Sequence, residues 1–368
     1  MYGAFQSGVV MELGQRLQSS GYGSQPFDLT IGSSSGSLVA TVAAAGGPFD
    51  HNFVRNAWVE FGEATKIRPR TSRPFNPYPQ ALQNVFERGL VNTEKASRSR
   101  THLIVTASEY ETDALANIRS AGYSALASGL KRFLTPDCDS PCDFLEKAGA
   151  FLEAGACLFA PVYYSNKPVS RAANLQDLTF RLTQDAQELR RAVEASSRIP
   201  FLYGIPLKEG GKHLIDGVFA NNAPVELALE LGVRNVFVVT SSKKGLVFDR
   251  PIQSLAKRQA LNLLKQAEKA PKWLARLPRG RHILNGLRTL ASVQDKITEP
   301  KPLDLDALRR RYPKQRIGVI HPQEDIGVSR FFETRPEVLA RLYEMGRESA
   351  RNVLIPVTQD AWEPTYAA

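Results

Sequence analysis

Two short segments hold the residue types that could do chemistry. Gly32-Ser33-Ser34-Ser35-Gly36 has the spacing G-x-S-x-G. Its glycines let a backbone turn sharply and keep Cβ atoms clear of their neighbours, as a serine raised on a strained strand-to-helix turn requires. Phe27 to Gly32 reads as the strand feeding that turn, and the small residues Leu38 to Ala45 as the helix leaving it. Ser34 then stands at a helix N-terminus, where peptide dipoles and unpaired N–H groups favour developing negative charge. A Ser/Gly-rich phosphate-binding turn, or a plain turn, is the other reading of this spacing.

A serine nucleophile needs a base. The histidines stand at positions 51, 102, 213, 282 and 321, and none lies in a segment that marks it as the partner of Ser34. The second segment is instead acidic, His213 to Pro224. There an apolar strand ends in Asp216, Gly217 relaxes the backbone, and Pro224 suits the start of a helix. An aspartate at the C-terminal end of a strand lies where open α/β sheets form their sites. A turn-forming Asp-Gly is the bland alternative.

The elements that must position these residues alternate between short apolar runs and longer helical patterns, the rhythm of an α/β domain with a mainly parallel sheet and helices on both faces. Besides the strand before Ser34, strands are expected at 102–107, 157–163, 213–216, 235–240 and 316–321. Helices are expected at about 4–19, 78–88, 110–132, 177–195, 224–231, 252–268 and 335–354. The chain has 368 residues, 43% of them apolar and 23% charged, an ordinary globular composition with ample material for a core. Its longest small-apolar stretch, Leu38 to Gly47, is about half of a membrane span.

Charge is unevenly spread. Residues 243–288 contain 12 Lys/Arg against 2 acids, which equals the whole net charge of +10. Apolar residues recur there at helical spacing, with Trp273 among them. A basic amphipathic segment of this kind suits an anionic membrane surface, and a helical cap with a solvated basic face is the alternative. No nucleic-acid-binding module accompanies the charge. Cys138 and Cys142 have no second ligand cluster, so no metal site is expected and the loop reads as polar with free thiols. Three cysteines cannot all pair, which points to a reducing, cytoplasmic setting, and the basic segment to a peripheral place at the membrane.

Several segments, in order, resemble the patatin-like phospholipases. Gly3 to Val10 is similar to that family's opening helix, Gly32 to Gly36 to its nucleophile elbow, and Glu194 to Pro200 to its A-S-x-A-x-P segment. Leu214 to Pro224, with Glu226, Gly232 and Val236–Val239, is similar to its D-G-G-x-x-x-N-x-P block, with Val218 in place of the second glycine. The resemblance implies a three-layer α/β/α fold, with a catalytic domain over 1–242 and a basic segment and C-terminal helices over 243–368 completing it. It implies hydrolysis of phospholipid or lysophospholipid esters by a Ser34–Asp216 dyad through an acyl-enzyme, with neither cofactor nor metal. Gly32, Gly36 and Gly217 are the implied motif glycines. Met1 falls inside the family's G-G-G-x-[KR]-G loop, so the oxyanion donors expected in this chain are partial, the N–H groups of Gly3 and Ser35. The expectation is that codons upstream of Met1 encode an apolar strand and two or three glycines. Two other functions are compatible with the sequence: an α/β-hydrolase esterase with a Ser–Asp–His triad using His321, and a catalytically impaired lipid- or membrane-binding protein.

Overall fold

The structure, a computed structural model, describes residues 2–47, 49–64, 78–111, 160–169, 175–183, 185–198, 206–248, 302–324, 326 and 335–353. The three cysteines, His282, the expected helix at 252–268 and most of the basic segment lie outside the described residues.

A long strand, β2 (His102–Glu111), organises the sheet. On one edge it pairs antiparallel with β3 (Ala160–Ser165), which pairs parallel with β4 (Thr179–Leu182). The other edge is shared by two strands. β1 (Leu29–Ser33) runs parallel to the first half of β2, from Leu29 opposite His102 to Ser33 opposite Thr106. β6 (Lys212–Asp216) runs antiparallel to the second half, from Lys212 opposite Glu111 to Asp216 opposite Ala107. A short β5 (Leu207–Glu209) closes that side. β7 (Asn235–Val239) and β8 (Arg316–Ile320) form a separate parallel pair. The α/β class is therefore as expected, and among the described residues the six-stranded sheet is mixed, since β2 takes antiparallel partners on both edges.

Helices cover both faces, as a strand apolar on both sides demands. Leu103, Val105 and Ala107 of β2 pack beneath α2 (Ser35–Ala44) and α6 (Ala186–Ser196), with Leu82 and Phe86 of α4 (Tyr78–Glu87) and Ala96 of α5 (Thr93–Ser97) in the same core. Ile104 points the other way, towards Leu227 of α7 (Val225–Glu230). A further core joins β7 and β8 through Val238, Ile317 and Leu308, the last on α8 (Leu305–Arg311). α1 (Tyr2–Ser19) and α9 (Pro336–Arg351) cross backbone to backbone: a Cβ on Gly8 would stand 2.0 Å from the Tyr343 carbonyl oxygen, and one on Gly346 would stand 2.1 Å from that of Phe5.

Several local outcomes differ from the sequence expectations, three of them near the site or the core. Tyr110 and Glu111, expected to open a helix, end β2 by pairing with His213 and Lys212. The expected helix at 177–195 is a strand, then a helix. Thr179–Leu182 pairs with β3, and Asp185 restarts the chain as α6 by accepting the N–H groups of Gln187 and Glu188. A helix not expected at all, α3 (His51–Ala64), is capped by Asp50, whose Oδ1 accepts from Asn52 and Phe53.

Candidate active site

The shared edge of β2 builds the site. β1 and β6 approach along it from opposite directions, so their C-terminal ends meet at Thr106 and Ala107. The residue after β1 is Ser34 and the last residue of β6 is Asp216. Ser34 Oγ donates to Asp216 Oδ2 at 2.6 Å. Close approach of the two strand ends depends on glycine. A Cβ on Gly217 would stand 2.1 Å from the Thr106 carbonyl oxygen and 2.6 Å from Ser33 Oγ, and one on Gly32 would stand 2.2 Å from the Gly36 carbonyl oxygen.

Ser34 is the sole non-glycine residue with positive φ among the described residues, at φ 55° and ψ −131°. Such a backbone costs about 1–3 kcal/mol and persists only where surrounding bonds fix it. Here the bonds come from three buried serines. Ser196 Oγ accepts the Ser34 N–H at 2.9 Å and donates its own proton to the Thr106 carbonyl at 2.6 Å. Ser37 Oγ donates to the Ser34 carbonyl at 2.6 Å, and Ser197 Oγ donates to it at 3.3 Å. Ser196 and Ser197 stand where α6 ends, so this helix end grips the nucleophile peptide from both sides.

The same stretch also holds the acid, since the Asp216 N–H donates to the Arg198 carbonyl at 3.1 Å. Ser108 Oγ donates to the Asp216 carbonyl at 2.7 Å and accepts the Ala220 N–H at 2.9 Å. The side chain of Asp216 is fully buried. Its Oδ1 accepts from the Val218 N–H at 2.9 Å. Val218 occupies a 3-10 turn, Gly217–Phe219, with ordinary negative φ, which explains why valine is accommodated where the family pattern has glycine. Burial pushes the Asp216 carboxyl up to about 7, against the opposing pull of the hydrogen bonds from Ser34 and Val218. At that value a carboxylate is a competent base near neutrality.

Ser35 opens α2, so its N–H is among the first helical amides, which have no partner within their own helix. Gly3 lies beside it: a Cβ built there would be 2.9 Å from Ser35 Cβ. The structure thus gathers Ser34, Asp216, Ser35, Gly3, Gly32, Gly36 and Gly217 in one place.

The described histidines are elsewhere. His51 bonds Tyr343 and Gln15 between α1, α3 and α9. His102 bonds Ser165 and is held down to about 4 by burial. It starts β2, about 13 Å along the strand from Thr106. His213 is three residues before Asp216 on β6, so strand alternation puts it on the opposite face. His321 follows β8, with Nδ1 on the Pro322 carbonyl and its ring near Gly245. Among the described residues no group of His, Cys, Asp and Glu could hold a metal, and no helix is long and apolar enough to cross a membrane.

Sequence reasoning did not assign roles to Ser37, Ser108, Ser196 or Ser197. Each is a small polar residue at a helix or strand position, and only the register of β2 reveals which backbone groups they reach.

No curated protein is similar enough to the chain to be matched. The profile of the patatin-like phospholipases matches residues 1–229, which contain every residue of the site. By that match the chain belongs to the patatin-like phospholipase family, a family of lipid acyl hydrolases.

Proposed function

We propose that the protein hydrolyses carboxylic esters of phospholipids or lysophospholipids with Ser34 as nucleophile and Asp216 as the one acid–base group. The observation that carries this reading is the 2.6 Å bond from Ser34 Oγ to the fully buried carboxylate of Asp216. Ser34 Oγ attacks the ester carbonyl carbon while its proton passes to Asp216 Oδ2. The carbonyl oxygen takes up the negative charge and faces the N–H groups of Ser35 and Gly3. Collapse of this intermediate breaks the bond to the alcohol, which leaves with the proton from Asp216, and the acyl group stays on Ser34. Water then attacks the acyl-enzyme, its proton passing to Asp216 and on to Ser34 as the fatty acid departs.

The test is release of fatty acid from lysophosphatidylcholine and from phosphatidylcholine vesicles. Ser34→Ala and Asp216→Asn are each expected to lose on the order of 10³-fold or more in kcat with an unchanged circular dichroism spectrum. His213→Ala and His321→Ala are expected to retain activity. Loss in the folded His321 variant would replace the dyad by a triad, and no Ser34-dependent release from either lipid would overturn the hydrolase reading.

A further inference from the structure

Behind the dyad, three buried side-chain atoms have no hydrogen-bond partner among the described residues: Ser33 Oγ, Thr106 Oγ1 and Asn221 Oδ1. Ser33 is 7% exposed and Thr106 not at all. The sheet brings these atoms together. Ser33 of β1 and Tyr163 of β3 both stand opposite Thr106, one on each side, so the three side chains form a row on one face. That is the face of Ile104, which Leu227 of α7 covers. Asp216 stands opposite Ala107, so its carboxyl belongs to the other face. Asn221 closes the row from above. Its Nδ2–H donates to Tyr163 Oη at 3.0 Å, and its backbone N–H donates to the Gly217 carbonyl at 3.0 Å. Gly217 meets the floor of the row, since a Cβ there would stand 2.6 Å from Ser33 Oγ. Unmatched buried oxygens are costly, and neighbouring ones are seldom kept unless something bridges them.

We propose that Ser33, Thr106 and Asn221 bind one buried water molecule, which ties the turn after Asp216 to the end of β1 and makes the three side chains positioning residues for the dyad. The water site stands on geometry alone, and its positioning role rests on the hydrolase reading. Two dimensions fit one water. The strands carrying Ser33 and Thr106 are about 4.8 Å apart, and their hydroxyls do not bond each other. Asn221 stands about 5.4 Å over Gly217, one helical pitch. Two hydrogen bonds of about 2.8 Å placed end to end span both gaps. The chemistry fits as well. Asn221 Oδ1 can only accept, so it takes one proton of the water, and the other proton and the lone pairs serve the two hydroxyls. Buried waters typically make about three such bonds to groups otherwise unmatched. The link joins the two backbones that carry the reaction: Ser33 precedes Ser34, and Asn221 is bonded to Gly217, which follows Asp216.

The experiment reads density, stability and rate. A high-resolution crystal structure of the unsubstituted protein is expected to show one water within hydrogen-bond distance of all three atoms. Thr106→Val keeps the shape of the side chain and removes its hydroxyl. If that hydroxyl bonds nothing, its loss raises Tm. With the water bound, Tm is expected to fall by about 2–3 °C. In the same variant kcat for p-nitrophenyl butyrate is expected to fall about fivefold, with KM within about twofold. Thr106→Ser restores the hydroxyl and is expected to recover most of kcat. Sharing of the water is tested by a cycle. The fall in Tm caused by Ser33→Ala is expected to be at least halved in an Asn221→Ala background, because both side chains act through one molecule. Absence of the density, a higher Tm in Thr106→Val, or additive losses in the cycle would overturn the water site. Density with an unchanged kcat in folded Thr106→Val would overturn the positioning role. The crystal structure needs no substitution, so it decides the site if Thr106→Val fails to fold, and Ser33→Ala then reads kcat. Density and the cycle as expected, with no ester hydrolysis by the unsubstituted protein, would keep the site and remove the hydrolase reading.

Discussion

Two buried carboxylates stand diagonally across the same ladder, and the molecule treats them in opposite ways. Glu109 of β2 lies opposite Leu214, and Asp216 of β6 lies opposite Ala107, two residues along. Glu109 is 6% exposed and Asp216 is 0% exposed, so both have left water behind. Glu109 is bridged by Arg181 of β4 and Lys212 of β6, and Arg181 also holds Glu209 of β5. Two cations offset its charge, and the network ties four strands together. Asp216 has the Ser34 hydroxyl and one backbone N–H, and no described Lys or Arg pairs with it. A buried carboxylate supported so sparingly holds its proton to higher pH. Burial alone therefore does not mark a functional acid; burial without a cation, next to a hydroxyl on a strained turn, does.

Removing the charge of Asp216 gives the largest effect. The carboxyl keeps its proton up to about 7 in the native state, whereas in the unfolded chain it loses it near 3.8. Between those values the native state binds the proton that the unfolded state has released, so the stability of the wild type falls as pH rises from about 4 to about 7 and then levels. Asp216→Asn does not titrate there. Urea denaturation at several pH values should show the variant gaining on the wild type by up to roughly 4 kcal/mol across that window. Wild-type kcat/KM has the reverse dependence, since the base must be ionised: it should climb with pH and level off through an apparent pKa near 7. An activity profile flat from about pH 5 to 8 would show that Asp216 is not the base, whatever the stability data say.

Glu109→Gln attacks the other half of the contrast. It leaves Arg181 and Lys212 without their shared carboxylate. Breaking a fully buried pair costs about 3–5 kcal/mol, and here the cation side chains are 28% and 40% exposed, so water recovers part of that and about 2 kcal/mol is expected. The measurement is the denaturation midpoint. The midpoint of the activity–pH profile should stay where it was, because the cations of this network do not touch Asp216. A profile displaced by a full pH unit would show that the two acids are one electrostatic unit.

Much of this site was legible along the chain. Gly32, Ser34 and Gly36 carry their meaning in local spacing, and Asp216 carries its own by ending an apolar run before a glycine. Both depend on backbone geometry within a few residues, which sequence encodes directly. The direction of the strands was less legible. A buried antiparallel strand and a buried parallel strand share the same apolar pattern, and nothing within residues 102–111 announces that β1 and β6 will divide one edge of β2. α3 could have been found, since Asp50 caps it and Val54, Ala57, Trp58 and Phe61 recur at helical spacing. The segment holding Ser196 stood out, but its role did not, because its acceptor on Thr106 lies 90 residues away and its donor on Ser34 lies 162 away.

That serine gives the smallest and most discriminating prediction. Ser196 Oγ links two backbones: it accepts from the Ser34 N–H and donates to the Thr106 carbonyl, and its residue is fully buried. Ser196→Ala leaves one buried donor and one buried acceptor unmatched at about 1–3 kcal/mol. Some of that returns as Ser34 relaxes from its strained backbone, so a net stability loss of about 1 kcal/mol is expected. Relaxation moves Ser34 Oγ relative to Asp216 but touches no part of the lipid. The loss should accordingly fall on kcat, about tenfold, with KM within about twofold. Ser197→Ala should do less on both counts, because Ser37 still donates to the Ser34 carbonyl at the shorter distance of 2.6 Å. Equal losses in kcat and kcat/KM for the folded Ser196 variant would identify α6 as the part that holds the nucleophile in its reactive pose. A rise in KM alone would show that Ser34 keeps its conformation without this link and that β1 and α2 suffice to strain it.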